Sequence, residues 1–164
     1  MAFGSDRRWR RIVLAMVSGV IVVSGLGGCA MRSSLTPLEA RDRVQSAPDV
    51  TKATVTTGTD RESLKTTYFV DVRVTIRGSE SSTELTQLVD YVTRVGWATD
   101  IGHQPTGVQL LLSGPGSPDV IAALDELGLK GYPGPRDNSS ALITAKDLEQ
   151  KWGKWPGEVP DQIK

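Results

Sequence analysis

"YFVDVRVTIR", residues 68–77, decides how this chain folds. Val70, Val72, Val74 and Ile76 alternate with Asp71, Arg73, Thr75 and Arg77. Successive side chains of a strand point to opposite faces, so this stretch is a strand with one buried face and one polar face. That alternation belongs to a sheet covered on one side only. Just upstream, "TKATVTT" (residues 51–57) is rich in Val and Thr and reads as a second strand, with the polar stretch 58–64 as a turn. The row Asp71, Arg73, Thr75 and Arg77 is the candidate binding face. Arginines spaced this way can hold carboxylates through paired hydrogen bonds.

Helix signals surround the strand. Ser81-Ser82-Thr83-Glu84 is a capping box, and Leu85, Leu88, Val89, Val92 and Val95 come after it on one helical stripe, with Gly96 placed to end it. Residues 97–103 and 107–113 then predict a hairpin, with Gln104-Pro105-Thr106-Gly107 suited to a type I turn. Ser117-Pro118 opens a further helix whose apolar stripe is Val120, Ile121, Leu124 and Leu127, with Gly128 past its end. Earlier in the chain, Thr36-Pro37-Leu38-Glu39 is a capping box with proline at the first helical position, and that helix runs to about Ser46. Residues 140–144 predict an edge strand. Thr144-Ala145-Lys146-Asp147 then caps a last helix ending near Trp152.

The two halves rhyme. "VRVTIRG", a Ser-capped helix and "VGW" parallel "VQLLLSG", a Ser-capped helix and "KGY". A ββα repeat predicts a single α+β domain over residues 36–152. The expected architecture is a two-layer sandwich, with a mostly antiparallel sheet and two main helices on one face, ferredoxin-like or related. The proline-broken tail, 153–164, is expected to be extended. Trp152 and Trp155 beside it are a second candidate contact, because tryptophan enriches interfaces as well as core edges.

The N-terminus carries the most specific signal. Arg7, Arg8, Arg10 and Arg11 precede an uncharged apolar run over residues 12–26, and then comes Leu26-Gly27-Gly28-Cys29. A basic head, a short apolar core and small residues make a secretory signal peptide. The core falls short of the ~20 residues that a transmembrane helix needs. Leu26-Gly27-Gly28-Cys29 resembles the lipobox of bacterial lipoproteins. That resemblance implies removal of residues 1–28, acylation of Cys29, a tether over 29–35, and a domain held by lipid on the extracytoplasmic face of the cell membrane.

Removing residues 1–28 changes the charge. The precursor has 19 Lys+Arg and 19 Asp+Glu; the leader takes four arginines and one aspartate, leaving 15 against 18. A mildly acidic domain offers no basic surface for nucleic acid. The one cysteine is spent on the lipid, so no thiol remains for a disulfide, a metal or a nucleophile. His103 is the only histidine and sits beside a predicted turn, a poor basis for a catalytic triad. "SGPGSPD", residues 113–119, has glycines before a helix but lacks the Gly-Lys-Ser/Thr ending of a phosphate loop, and its prolines remove backbone donors. Asp125 and Glu126 are adjacent on a helix and diverge. No metal set and no cofactor are expected. The chain therefore reads as a non-catalytic envelope lipoprotein that binds an envelope protein or small ligand. The alternatives are a carrier of an apolar ligand between sheet and helices and, further off, a carboxylate-dependent hydrolase.

Overall fold

Side-chain caps set where the helices begin. In the computed structural model, which describes residues 34–62, 65–78, 81–134 and 137–163, helix α1 (Pro37–Gln45) opens on Thr36. The Thr36 hydroxyl accepts from the Glu39 amide, and the Glu39 carboxylate accepts from the Thr36 amide at 2.8 Å. Helix α2 (Ser82–Trp97) repeats the arrangement with Ser81 and Glu84. Helix α3 (Val120–Glu126) is capped by Asp119, whose carboxylate accepts from the Ala122 amide at 2.9 Å. Helix α4 (Ala145–Trp152) is capped by Thr144, which accepts from the Asp147 amide. Each cap satisfies amides that a first helical turn leaves without partners. The expected signal peptide (residues 1–28), Cys29 and most of the expected tether lie outside the described residues.

The strands are β1 (Val50–Glu62), β2 (Lys65–Ile76), β3 (Gly107–Ser113), β4 (Gly131–Pro133) and β5 (Ser140–Thr144), in the order β1-β2-β3-β5-β4. β2 and β3 are parallel; the other three pairings are antiparallel. A parallel pair needs a crossover, and α2 supplies it between β2 and β3. The register lines up one apolar face: Ala53 with Val74, Val55 with Val72 and Leu110, Val70 with Val108 and Ile143. These side chains are buried together with Leu88, Val89, Val92 and Val95 of α2, Ala123 and Leu124 of α3, Val44 of α1 and Leu148 of α4. The space between the layers is filled by Trp97, Tyr91, Leu110, Leu112 and Ile143, all essentially inaccessible. The architecture is the expected α+β two-layer sandwich, a mixed sheet with helices against its apolar face.

Several expected boundaries change. Residues 97–103 form no strand. Trp97 closes α2, and the chain after it is a loop whose one ladder contact is a parallel bridge from Thr99 to Leu35. Gly96 does not stop the helix. A Cβ there would lie 2.9 Å from Val108 Cγ1 and 3.2 Å from Val72 Cγ2, so the glycine lets α2 settle onto the sheet. Without a strand at 97–103 the expected second ββα unit, 97–103 with β3 and α3, loses its first strand, and the repeat does not hold in that form; the ββα succession of the second half is β4, β5 and α4. α3 starts at Val120, after Asp119, rather than at Pro118. β1 continues to Glu62 through the stretch read as a turn. β5 is not an edge strand; it pairs with β3 on one side and β4 on the other.

The tail is not helical, but it is tied down. Trp97 Nε1 donates to the Gly153 carbonyl, Trp155 Nε1 to the Thr99 carbonyl, and the Gly157 amide to the Trp97 carbonyl. Farther along, Arg43 donates to the Pro160 carbonyl at 3.1 Å, and Val159 and Ile163 pack against the core.

Candidate functional site

The face of the sheet turned away from the core carries two rows set by the register. One runs Tyr132, Leu142, Gln109, Asp71, Thr56; the next runs Ser140, Leu111, Arg73, Thr54. Neighbouring strands are ~4.8 Å apart, so each row is a continuous band of side chains. Tyr132 and Leu142 are among the most exposed large apolar residues described, at 45% and 39%. The Lys130 ammonium lies 5.0 Å from the centre of the Tyr132 ring.

A cleft of about 320 Å³ opens in this face, lined by Asp71 and Arg73 of β2, Gln109 and Leu111 of β3, Ser140 of β5, and Asp137 and Ser139 of the β4–β5 connection. That connection is held in place. Asp137 accepts from the Ser139 amide at 3.0 Å, and the Asn138 carbonyl accepts from the Val120 amide at 2.9 Å.

Asp71 is the unexpected member. Alternation puts it on the open face, yet the residue is only 8% exposed. Arg73 accounts for its charge: Nε and Nη2 both donate to Asp71 Oδ2, at 3.0 and 2.8 Å. The hydrogen bond and charge of Asp71 push the Arg73 guanidinium above its ordinary pKa. The Arg73 side chain is 62% exposed, so the part of its fork not engaged by Asp71 stays accessible to a ligand.

The four residues read as one binding row are thus divided. Asp71 and Arg73 meet in the cleft. Thr75 sits two positions along β2, opposite Ser113, and Arg77 lies beyond the last residue of β2 and is exposed. The alternation in β2 could not reveal Gln109, Leu111, Asp137, Ser139 or Ser140. "VQLLLS" has three leucines in a row, so the facing of Leu111 is fixed only by pairing with β2, and Asp137 and Ser139 arrive from a connection with no sequence signal of its own.

The other candidates lie apart from the cleft. Trp155 is half-buried and spends its indole N–H on Thr99. Trp152 is half-buried at the end of α4, with the Lys151 ammonium 5.9 Å from its ring centre. His103 stacks on Tyr68 with ring centres 4.7 Å apart. The helix start after "SGPGSPD" is occupied by the Asp119 carboxylate of the chain itself. Among the described residues no group of three His, Cys, Asp or Glu is placed to hold a metal ion, and no helix is long and apolar enough to cross a membrane.

The cleft combines a paired guanidinium, two carboxylates, an amide, two hydroxyls and one leucine. It is equipped to recognise a polar group by hydrogen bonds with an apolar contact beside it. No family model, curated protein or solved structure matches this chain.

Proposed function

We propose that this chain is a bacterial envelope lipoprotein, held by acylated Cys29 on the extracytoplasmic face of the cell membrane, whose domain binds a partner through its open sheet face without catalysis. The observation that carries the binding half is the cleft around the Asp71–Arg73 pair, in the sheet face turned away from the described core. The filled interior supports a binding module over a carrier, because an apolar ligand between the layers would have to displace Trp97, Leu110 or Ile143. The lipobox at 26–29 supports the anchor.

Photo-crosslinking in living cells tests this reading. A photoreactive residue at Thr54, on the open face beside Arg73, should give an adduct of defined mass, and one at exposed Gln87, on α2, should not. Arg73→Glu should abolish the Thr54 adduct with the protein still folded and acylated. Identical adducts from both positions, or a Thr54 adduct that survives Arg73→Glu, would remove the sheet face from the proposal.

A further inference from the structure

We infer that the end of the domain bearing Leu38, Trp152 and Trp155 rests on the bilayer that holds the chain's own acyl group, with the tryptophans at headgroup level. The inference rests on acylation at Cys29 and adds the orientation in which the anchored domain sits.

The tether sets the distance. Cys29 and Leu35 are six residues apart in the sequence. A fully extended chain covers at most ~3.6 Å per residue, so Leu35 cannot stand more than about 22 Å from the acylated residue. Leu35 itself is fixed to the domain. Its amide donates to the Ala98 carbonyl at 2.9 Å, and its carbonyl accepts from the Asp100 amide at 2.7 Å. Whatever surrounds residues 98–100 is therefore drawn to the membrane surface.

The surroundings of that loop suit an interface. Thr99, in the same loop, accepts the Trp155 indole N–H at 3.1 Å. Trp155 is thus pinned one residue from the point where the tether enters. Trp152 lies three residues earlier in the chain, and both rings are partly exposed. Leu38 is three residues past Leu35, at the start of α1, and at 58% is the most exposed large apolar residue among those described. Tryptophan collects at the membrane–water boundary because its ring is apolar and its N–H is polar. An exposed leucine beside it adds apolar area that the acyl-chain boundary can bury.

The topology places a polar element at the same end. α2 must return the chain to the start of β3, so Trp97 lies where β2 and β3 begin. The β1–β2 hairpin projects beyond β3 at that end, since β2 pairs with β3 only from Val70 onward. Its distal part carries exposed Asp60 and Arg61. Charges there belong in headgroup water, so the contact is interfacial rather than inserted.

The test uses the acylated full chain reconstituted into phosphatidylcholine–phosphatidylglycerol vesicles whose acyl chains carry bromine, a short-range quencher of indole fluorescence. Incorporated palmitate label on the same sample reports the anchor. Labelled wild-type protein should be quenched in brominated vesicles and not in plain ones. Trp152→Phe combined with Trp155→Phe should lose most of that quenching, because the remaining indole of the mature chain, Trp97, is buried in the core. Leu38→Asp, at a site too exposed to affect folding, should reduce the quenching with all three indoles of the mature chain present and the thermal melt unchanged. Labelled protein that is equally bright in both vesicles would overturn the docked orientation while leaving the anchor intact. Wild-type protein that takes up no palmitate would instead overturn the anchor, and the orientation with it.

Discussion

Val72 is inaccessible at the centre of the apolar face, opposite Val55 and Leu110, and the next residue, Arg73, is exposed on the other side. Alternation alone predicts that Val72→Asp is ruinous and that Arg73→Ser costs no more than about 0.5 kcal/mol, as for an ordinary surface position. The structure keeps the first expectation and raises the second. Val72→Asp puts a carboxylate among Val55, Leu110 and the α2 side chains with no partner, a cost of roughly 4 kcal/mol or more against a total stability of ~5–15 kcal/mol. Arg73→Ser takes the guanidinium from Asp71, whose side chain is only 11% exposed, and leaves a carboxylate short of its donors. Because Arg73 is itself mostly in water, about 1 kcal/mol is expected rather than the full penalty of a buried pair. Urea melts of the two variants should differ several-fold in their loss of stability. Equal losses would mean that the facing of β2 is wrong.

The capped helices give the domain a predictable response to acid. The Ser81 hydroxyl and amide hold the Glu84 carboxyl below its usual pKa, and Thr36 does the same for Glu39, mainly through its backbone amide. A carboxyl lowered in the folded state adds stability above its unfolded pKa of ~4.3 and loses that contribution as pH falls through the folded value. Glu84→Ala should therefore lower the melting temperature at pH 7, and the gap from wild type should close as the pH drops below about 4.5. A gap that is constant from about pH 7 to about pH 3 would show that the box contributes through packing alone. These boxes are also why three helices were legible at their starts, since three-residue spacing survives in a bare sequence. Helix ends and strand partners were less legible because distant contacts decide them. Gly96 looks like a stop signal but is a clearance for Val108 and Val72, residues supplied by two other elements. "VQLLLS" holds no clear period, so only pairing with β2 tells Leu111 from Leu110. The cleft inherits that limit: its β2 members stood out as alternating residues, whereas Gln109, Asp137, Ser139 and Ser140 were brought to it by folding.

For the whole molecule, the two ends of the domain are joined. The entry at Leu35 and the tail at Trp155 both bind the loop after α2, one through Ala98 and Asp100 and the other through Thr99. Under the proposed acylation of Cys29, that one loop would tie both ends of the domain to the lipid, and the strength of the anchor would depend on chemistry at a single sulfur. One acyl chain gives only marginal, reversible binding, whereas the two or three that lipobox processing would attach hold a protein firmly. The precursor should accordingly partition into detergent and take up labelled palmitate. Cys29→Ala should abolish the labelling and remain uncleaved after Gly28. The 12–26 apolar run would then be the only hold on the membrane, and its length is marginal for a span. The domain itself should be indifferent to the change, because residues 34–163 supply every described core contact, so its melt should match that of wild type. Palmitate that persists on Cys29→Ala would place the lipid on another residue, and wild-type protein that takes up none would require the apolar leader to be read as an uncleaved anchor.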